Sequence, residues 1–309
     1  MREIYFPKKG GTAKSFRFLV LSHDVFIVRR DEEFFIFILV FHVMNHNNVL
    51  LEKMKTGDHP IVYINACTHG NEKVGARILE AIEKISAKKG MIVTNIANRE
   101  AFALDKRFID QDLNRSFPGK LDGNHEERLA CELLPLVQAA DIVIDIHSTT
   151  SGRLSSVIVT KLDEATLDIV RLINPKRVLL LSATENNALI SSAKVGIGFE
   201  YGKDQSIVTY RETLRGIMRI LIGLGMTKGR FGRSEVKSEF YNVSDSFEKT
   251  EGFILEKGIK NFKLVRKGEV IAKNKKELVL APKDFYPVLF GNSTYEKIFG
   301  FMGERMDID

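Results

Sequence analysis

Two histidines and a glutamate in this chain are spaced to hold a metal ion. His69 and Glu72 form an H-x-x-E pair within Thr68-His69-Gly70-Asn71-Glu72, and His147 ends the stretch Asp145-Ile146-His147. The pair follows the apolar run Ile61-Val62-Tyr63-Ile64, and His147 closes a second run, Ile142-Val143-Ile144. Two imidazoles and one carboxylate give a borderline-soft divalent ion three protein ligands. A fourth position stays open for water, which is the pattern of a catalytic zinc rather than a structural one. An H-x-x-E pair alone is a weak motif. Its weight here comes from position, because both histidines fall where a strand should end and ligands of α/β sheets gather at the carboxyl ends of strands.

Two further stretches carry suitable chemistry. Arg107-Phe108-Ile109-Asp110-Gln111-Asp112-Leu113-Asn114-Arg115 reads as a loop with two guanidinium groups and an amide. A guanidinium fork matches a carboxylate bidentately and can stabilise the oxyanion of a tetrahedral intermediate. The same residues would also suit a surface loop with ordinary charges. Gly196-Ile197-Gly198-Phe199-Glu200-Tyr201-Gly202 is a glycine-flanked strand with one carboxylate. Glycines permit close backbone approach, as beside a ligand, and a carboxylate near an activated water is the usual general base of zinc hydrolases. The alternative is a solvent-facing Glu200 in a tight turn.

The elements that must position these residues can be read from periodicity. Residues 57–228 alternate strand and helix signals. Val74, Ile78, Ile82 and Ile85 recur at helical spacing, with Gly90 expected to end that helix. Residues 91–96, 142–146, 157–160 and 178–181 read as strands, and 124–139, 163–173 and 207–224 as helices. This alternation predicts an α/β sheet with helices on both faces. From about 229 the texture changes to short β-like runs (253–255, 262–265, 270–272, 278–281 and 287–290) separated by turn signals, which predicts a small C-terminal β domain over 229–309. Residues 1–56 form an N-terminal extension without a motif. Its apolar runs 17–28 and 34–44 suggest strands, and Met44 and Met54 are plausible alternative initiators.

Composition narrows the class. The 309 residues are 44% apolar, enough for one large domain or two smaller ones with a sizeable core. Net charge is +6, which suits a small anionic substrate. The basic residues are scattered among 40 acidic ones, with no long basic run and no Trp, so nucleic-acid binding is not expected. Cys67 and Cys131 show no pairing framework, which fits a reducing cytoplasm. The most apolar stretch, Phe34 to Met44, is too short to span a bilayer.

Taken in order, H-G-N-E, R-F-I-D-Q-D-L-N-R, D-I-H-S-T-T-S and G-x-E-x-G resemble the aspartoacylase/succinylglutamate desuccinylase family, a branch of the zinc carboxypeptidase-like hydrolases. The resemblance runs from about residue 60 to 204 and is looser in the C-terminal region. It implies a mixed α/β sheet flanked by helices, with a small β domain capping the site. It also implies one Zn2+ per chain held by His69, Glu72 and His147. Arg107 would polarise the scissile carbonyl, Asn114 and Arg115 would bind a substrate carboxylate, and Glu200 would serve as base and then acid. Asp112 and Asp145 are rival partners for a zinc histidine, and Tyr295 is a candidate substrate contact. The family's arginine about ten residues before the catalytic glutamate is replaced here, near Ile190, which puts N-acetylaspartate in doubt as a substrate. The implied function is zinc-dependent cleavage of the amide of a small N-acylated amino acid. A carboxypeptidase or esterase on the same metal is the first alternative, and a non-enzymatic metal- or ligand-binding protein the second.

Overall fold

In a computed structural model of the chain, the described residues are 60–308 without 151, 153, 182–186 and 233–236, together with the backbone of four strands nearer the N-terminus. The chain divides into two compact units, residues 1–56 and 57–309. In the first, β1 (Arg2–Ile4), β2 (Phe16–Ser22), β3 (Val25–Arg30) and β4 (Glu33–Ile38) form an antiparallel sheet in chain order. The apolar run expected over 17–28 thus splits into two strands of a hairpin. Positions 39–44, Met44 and Met54 lie outside the described residues.

The second unit is built on a nine-stranded mixed sheet. Its strands in chain order are β5 (Ile61–Ala66), β6 (Met91–Ile96), β7 (Ile142–His147), β8 (Ser156–Val159), β9 (Arg177–Leu181), β10 (Gly196–Glu200), β11 (Glu239–Glu248), β15 (Tyr286–Val288) and β16 (Ile298–Met306). In space they run β15-β16-β11-β9-β8-β10-β7-β5-β6. The block β10-β7-β5-β6 is all parallel, so the carboxyl ends of β5, β7 and β10 lie side by side. This explains the near-continuous apolar composition of β5 and β7, since strands buried on both faces do not alternate.

Among the described residues of this unit there are five α-helices: α1 (Val74–Ile82), α2 (Arg99–Ala103), α3 (His125–Ala139), α4 (Glu164–Ile173) and α5 (Ile207–Gly223). One core joins Val62, Ile64, Ile144, Ile146, Ile197 and Phe199 of the sheet to apolar residues of α1, α4 and α5. The alternate residues of the strands, including Tyr63, Asn65, Val143, Asp145 and His147, face the other way and are also buried. Helix starts carry local signatures, clearest in α3, where Asn124 and Glu127 form a reciprocal capping box. Helix α1 is shorter than its periodicity suggested. It stops at Ile82, and Gly90 instead serves the entry to β6, at φ +76° and so close to Pro60 that a Cβ would lie 2.2 Å from its carbonyl oxygen. No helix among the described residues is long and apolar enough to cross a membrane.

The C-terminal region is antiparallel β, as the change in texture indicated, but it is not set apart from the large sheet. Strand β11 pairs in parallel with β9, and β16 and β15 extend the sheet beyond it. A separate three-stranded sheet contains β12 (Ile254–Leu255), β13 (Val270–Lys273) and β14 (Leu278–Leu280). Phe247, Phe253, Phe285, Phe290 and Phe299 form the core of this region. Of the run expected at 262–265, only Val265 bridges, to Phe285.

Candidate active site

The chain leaves β5 through Cys67, a non-glycine residue in the left-handed region at φ 55°. Such strain persists only where the surroundings over-determine it, and it is enriched at functional sites. The following turn is closed by Glu72 N–H donating to the His69 carbonyl at 3.0 Å, which brings the two side chains of the H-x-x-E pair together. Gly70 is required there, because a Cβ would lie 2.2 Å from the Ala101 carbonyl carbon of α2. The Gly70 N–H donates to the Arg107 carbonyl at 3.0 Å and thereby ties this turn to the arginine loop.

His147, at the end of β7, meets the same glutamate. Glu72 Oε1 lies 2.8 Å from His69 Nδ1 and Oε2 lies 3.1 Å from His147 Nδ1, while the Ser148 N–H donates to Oε2 at 2.9 Å. All three side chains are buried, and one donor atom from each falls within 4.8 Å of the others. Burial alone would raise the Glu72 pKa, but the two imidazoles hold it well below the usual carboxylate range. Conversely, burial would lower His69 and His147, and the facing carboxylates raise both. Two imidazole nitrogens and a carboxylate converging at the ends of adjacent parallel strands fit a divalent ion such as zinc by donor chemistry and by separation.

The two aspartates are not rivals, because each has its own histidine. Asp112 Oδ1 lies 3.1 Å from His69 Nε2, and Asp145 Oδ2 lies 2.8 Å from His147 Nε2. With Nδ1 of both rings turned toward Glu72, a carboxylate on Nε2 selects the tautomer that leaves Nδ1 as the donor to a metal. Asp112 also accepts from Arg107 Nη2 at 3.1 Å, so one carboxylate orients both a histidine and the arginine.

A cleft of about 430 Å³ opens over this cluster, and its walls include His69, Glu72, Arg107, Glu200, Lys203 and Tyr295. Glu200 ends β10 directly beside His147, its register partner on β7. Its Oε2 is buried without a hydrogen-bond partner among the described residues, and burial pushes its pKa up to about 8. Tyr295 packs edge-on against Phe301 at 5.5 Å between ring centroids, and burial raises its pKa. Asn114 and Arg115 stand in a 3-10 turn, Leu113–Arg115. The Asn114 amide sits between His147 Nε2 at 3.1 Å and the Leu189 N–H at 3.1 Å. Arg115 is exposed and outside the residues lining the cleft, with Nη1 donating to the Asn114 carbonyl at 2.7 Å. The close approach allowed by Gly196 is to the buried Ile190, not to a ligand. A Cβ on Gly196 would lie 2.2 Å from the Ile190 carbonyl oxygen.

Residues 58–221 match the family model described as the succinylglutamate desuccinylase/aspartoacylase catalytic domain. The chain belongs to that family. A Danio rerio protein named N-acyl-aromatic-L-amino acid amidohydrolase (carboxylate-forming) B is 31% identical over 163 residues, 44% of this chain and 52% of its own, so the match spans about half of that relative. A probable aspartoacylase of Prochlorococcus marinus is 28% identical over 256 residues, 77% of this chain and 80% of its own. Murine aminoacylase 3 shares the fold at TM-score 0.67 and 23% identity, covering 80% of this chain and 95% of that one. A succinylglutamate desuccinylase/aspartoacylase from Rhodobacter sphaeroides does so at TM-score 0.66 and 20% identity, with 82% and 87% covered.

Three contributors to the site were not legible in the sequence. Asp204 accepts from the Val74 N–H at 2.6 Å and so caps the helix that follows Glu72, although it lies far away in the chain. Lys203 brings a second cation to the cleft wall. The third, Glu126, is fully buried in the first turn of α3 and accepts from the N–H groups of Ile109, Asp110 and Gln111 at 2.7, 3.0 and 3.1 Å, and from Asn98 Nδ2 at 2.9 Å. It therefore holds the loop on which Arg107, Asp112 and Asn114 ride. In the sequence it looks like Glu127, one more acidic residue complementing a helix dipole. Glu126→Gln would leave several of these donors without an acceptor. We expect it to cost roughly 3 kcal/mol of unfolding free energy, since buried hydrogen bonds to a charged group are the strong ones. Any turnover the site supports should fall at least about tenfold, because misplacing a catalytic group by about an ångström can cost more than that. Urea unfolding and steady-state kinetics check both, and wild-type values in both would show that the loop holds itself.

Proposed function

We propose that the protein is a zinc-dependent hydrolase that cleaves the amide of a small N-acylated amino acid. The observation that carries this reading is the buried His69–Glu72–His147 cluster, whose His69 and Glu72 line a cleft that also presents Arg107 and Glu200. His69, Glu72 and His147 would hold the ion, which when bound supplies Lewis acidity and lowers the pKa of a water. Glu200 accepts a proton from the attacking water as the new C–O bond forms. Its raised pKa suits the return of that proton to the amine nitrogen as the C–N bond breaks. Arg107, held by Asp112, presents its guanidinium to the carbonyl oxygen as negative charge develops there. Asn114 and Arg115, on the 3-10 turn beside the cleft rather than in its lining, would have to turn inward to receive the substrate carboxylate, whereas Tyr295 in the lining would contact the substrate directly.

The C-terminal region supports a small substrate. Thr294 and Tyr295 line the cleft, and Thr150 Oγ1 lies 3.4 Å from Thr294 Oγ1, so this segment narrows the cleft. Ile190 is buried and supplies no guanidinium where the family's arginine would stand, and the exposed Lys203 on the cleft wall is a hydrated point charge rather than a bidentate fork, so N-acetylaspartate is expected to be a weak substrate. The relatives named above as aspartoacylase and N-acyl amino acid amidohydrolase fit the same class. To test the reading, zinc-loaded protein is assayed against acetyl-, succinyl- and other acyl-amino acids, the carboxamide of the best one, and a tetrapeptide. We expect the highest kcat/KM for an acyl-amino acid and a marked loss for its carboxamide. A tetrapeptide as the best substrate would overturn the reading in favour of a carboxypeptidase.

A further inference from the structure

Behind His147, on the same face of the sheet, lies a row of polar side chains where an α/β core would ordinarily have apolar ones. Asn95 of β6, Asn65 of β5 and Asp145 of β7 are direct register partners across three parallel strands. Asn65, Thr68 and Asp145 are 0, 0 and 1% exposed, so water does not satisfy them. Such residues cost stability unless every polar atom finds a partner.

The direction of each bond follows from chemistry. Asp145, ionised, can only accept. Asn65 must therefore turn its amide nitrogen to Asp145 Oδ1, at 3.0 Å, and the Thr68 hydroxyl donates to the same oxygen at 2.7 Å. The second Asn65 amide hydrogen goes to Thr68 Oγ1 at 2.8 Å. This leaves the Asn65 carbonyl oxygen to accept, and Asn95 Nδ2 donates to it at 3.2 Å and to Tyr63 Oη at 3.0 Å. Asn65 and Thr68 thus aim donors at Asp145, and Asn95 holds Asn65 in that orientation. The two donors fill Oδ1, which leaves Oδ2 for the Nε2–H of His147, 2.8 Å away.

We propose that Asn65, Thr68 and Asn95 are positioning residues for His147. They solvate the buried Asp145 carboxylate in place of water and hold it so that its free oxygen fixes the ring with Nδ1 toward Glu72. The proposal rests on the reading of His147 as a metal ligand. It predicts that the row sets the affinity for the ion, beyond any contribution to folding.

The test compares wild type with Thr68→Val, which keeps the shape and removes the donor, and Thr68→Ser, which keeps the donor. An Asn65→Leu/Asn95→Leu double variant removes both amides together, so that neither is left unpaired. Zinc affinity is measured by competition with a chromophoric chelator, and the stability of the chelator-stripped chains by urea unfolding. Loss of a partner that orients a metal-bound histidine typically weakens binding by about 10–100-fold. Thr68→Val and the double variant should therefore bind zinc at least ~10-fold more weakly than wild type, and Thr68→Ser within about threefold. That pattern should hold whether the stripped variants are less or more stable than wild type. If the folded variants bind zinc as tightly as wild type, the row is only structural and the proposal falls. Failure of the wild-type chain to bind zinc would instead overturn the metal reading on which it rests. Should the double variant not fold, the Thr68 pair alone decides.

Discussion

Turnover by the Glu200→Gln protein is expected to fall by roughly 10²–10⁴-fold, the usual contribution of a positioned general base. The substitution keeps the shape of the side chain and removes its ability to take a proton. Zinc should remain bound, because Glu200 is not one of the three clustered donors. Among the described residues, the other carboxylates near the cleft are already engaged. Glu72 has both oxygens against imidazoles, and Asp204 is held by the Val74 N–H and by Gln205 Nε2. Asp112 is held between His69 and Arg107. Single-turnover and steady-state rates, with metal content measured on the same sample, check the expectation. Turnover near wild type in a zinc-replete Glu200→Gln protein would mean that another group takes the proton.

The second large effect is expected from His147→Ala, which removes one of the three donors. Zinc affinity should drop by more than the roughly 10–100-fold typical of residues that only orient a ligand, and hydrolysis should be lost with it. The chain should nevertheless fold. The apolar core shared by the sheet with α1, α4 and α5 does not include His147. The carboxylates that lose an imidazole keep other donors: Asp145 has Asn65 and Thr68, and Glu72 has His69 and the Ser148 N–H. The far-ultraviolet circular dichroism of the variant should match wild type while chelator competition shows the loss of zinc. Unfolding of the variant would show that the site holds the sheet together; retained zinc would remove His147 from the donor set.

Much of this site was legible because its parts are contiguous motifs at the ends of apolar runs. His69 and His147 each stand within three residues of a strand end, Glu72 follows one turn later, and a parallel sheet brings such ends together without further information. The run 91–96 forms a strand with the expected bounds, and the helices over 124–139, 163–173 and 207–224 differ from their patterns by a residue at an end. What pairing across the chain decides was not legible. Asn65 and Asn95 look like isolated polar residues within apolar runs until the register aligns them with Asp145. Glu126 looks like any first-turn acid until the 107–115 loop folds over it. The longest strands of the C-terminal region, β11 and β16, escape notice because polar residues in β11, and glycines and charged residues in β16, break up their apolar runs. The end of α1 is hard to place because Ile85 continues its apolar spacing beyond the point where the helix stops.

The central claim is that His69, Glu72 and His147 hold one ion on which hydrolysis depends. It is tested most directly by elemental analysis of protein purified without chelator, followed by stripping and stepwise return of zinc while turnover of an acyl-amino acid is recorded. The account predicts about one zinc per chain, loss of turnover on stripping, and full recovery at one equivalent of zinc. Stoichiometric metal absent from the purified chain with no activation by added zinc, or undiminished turnover after stripping, would contradict it.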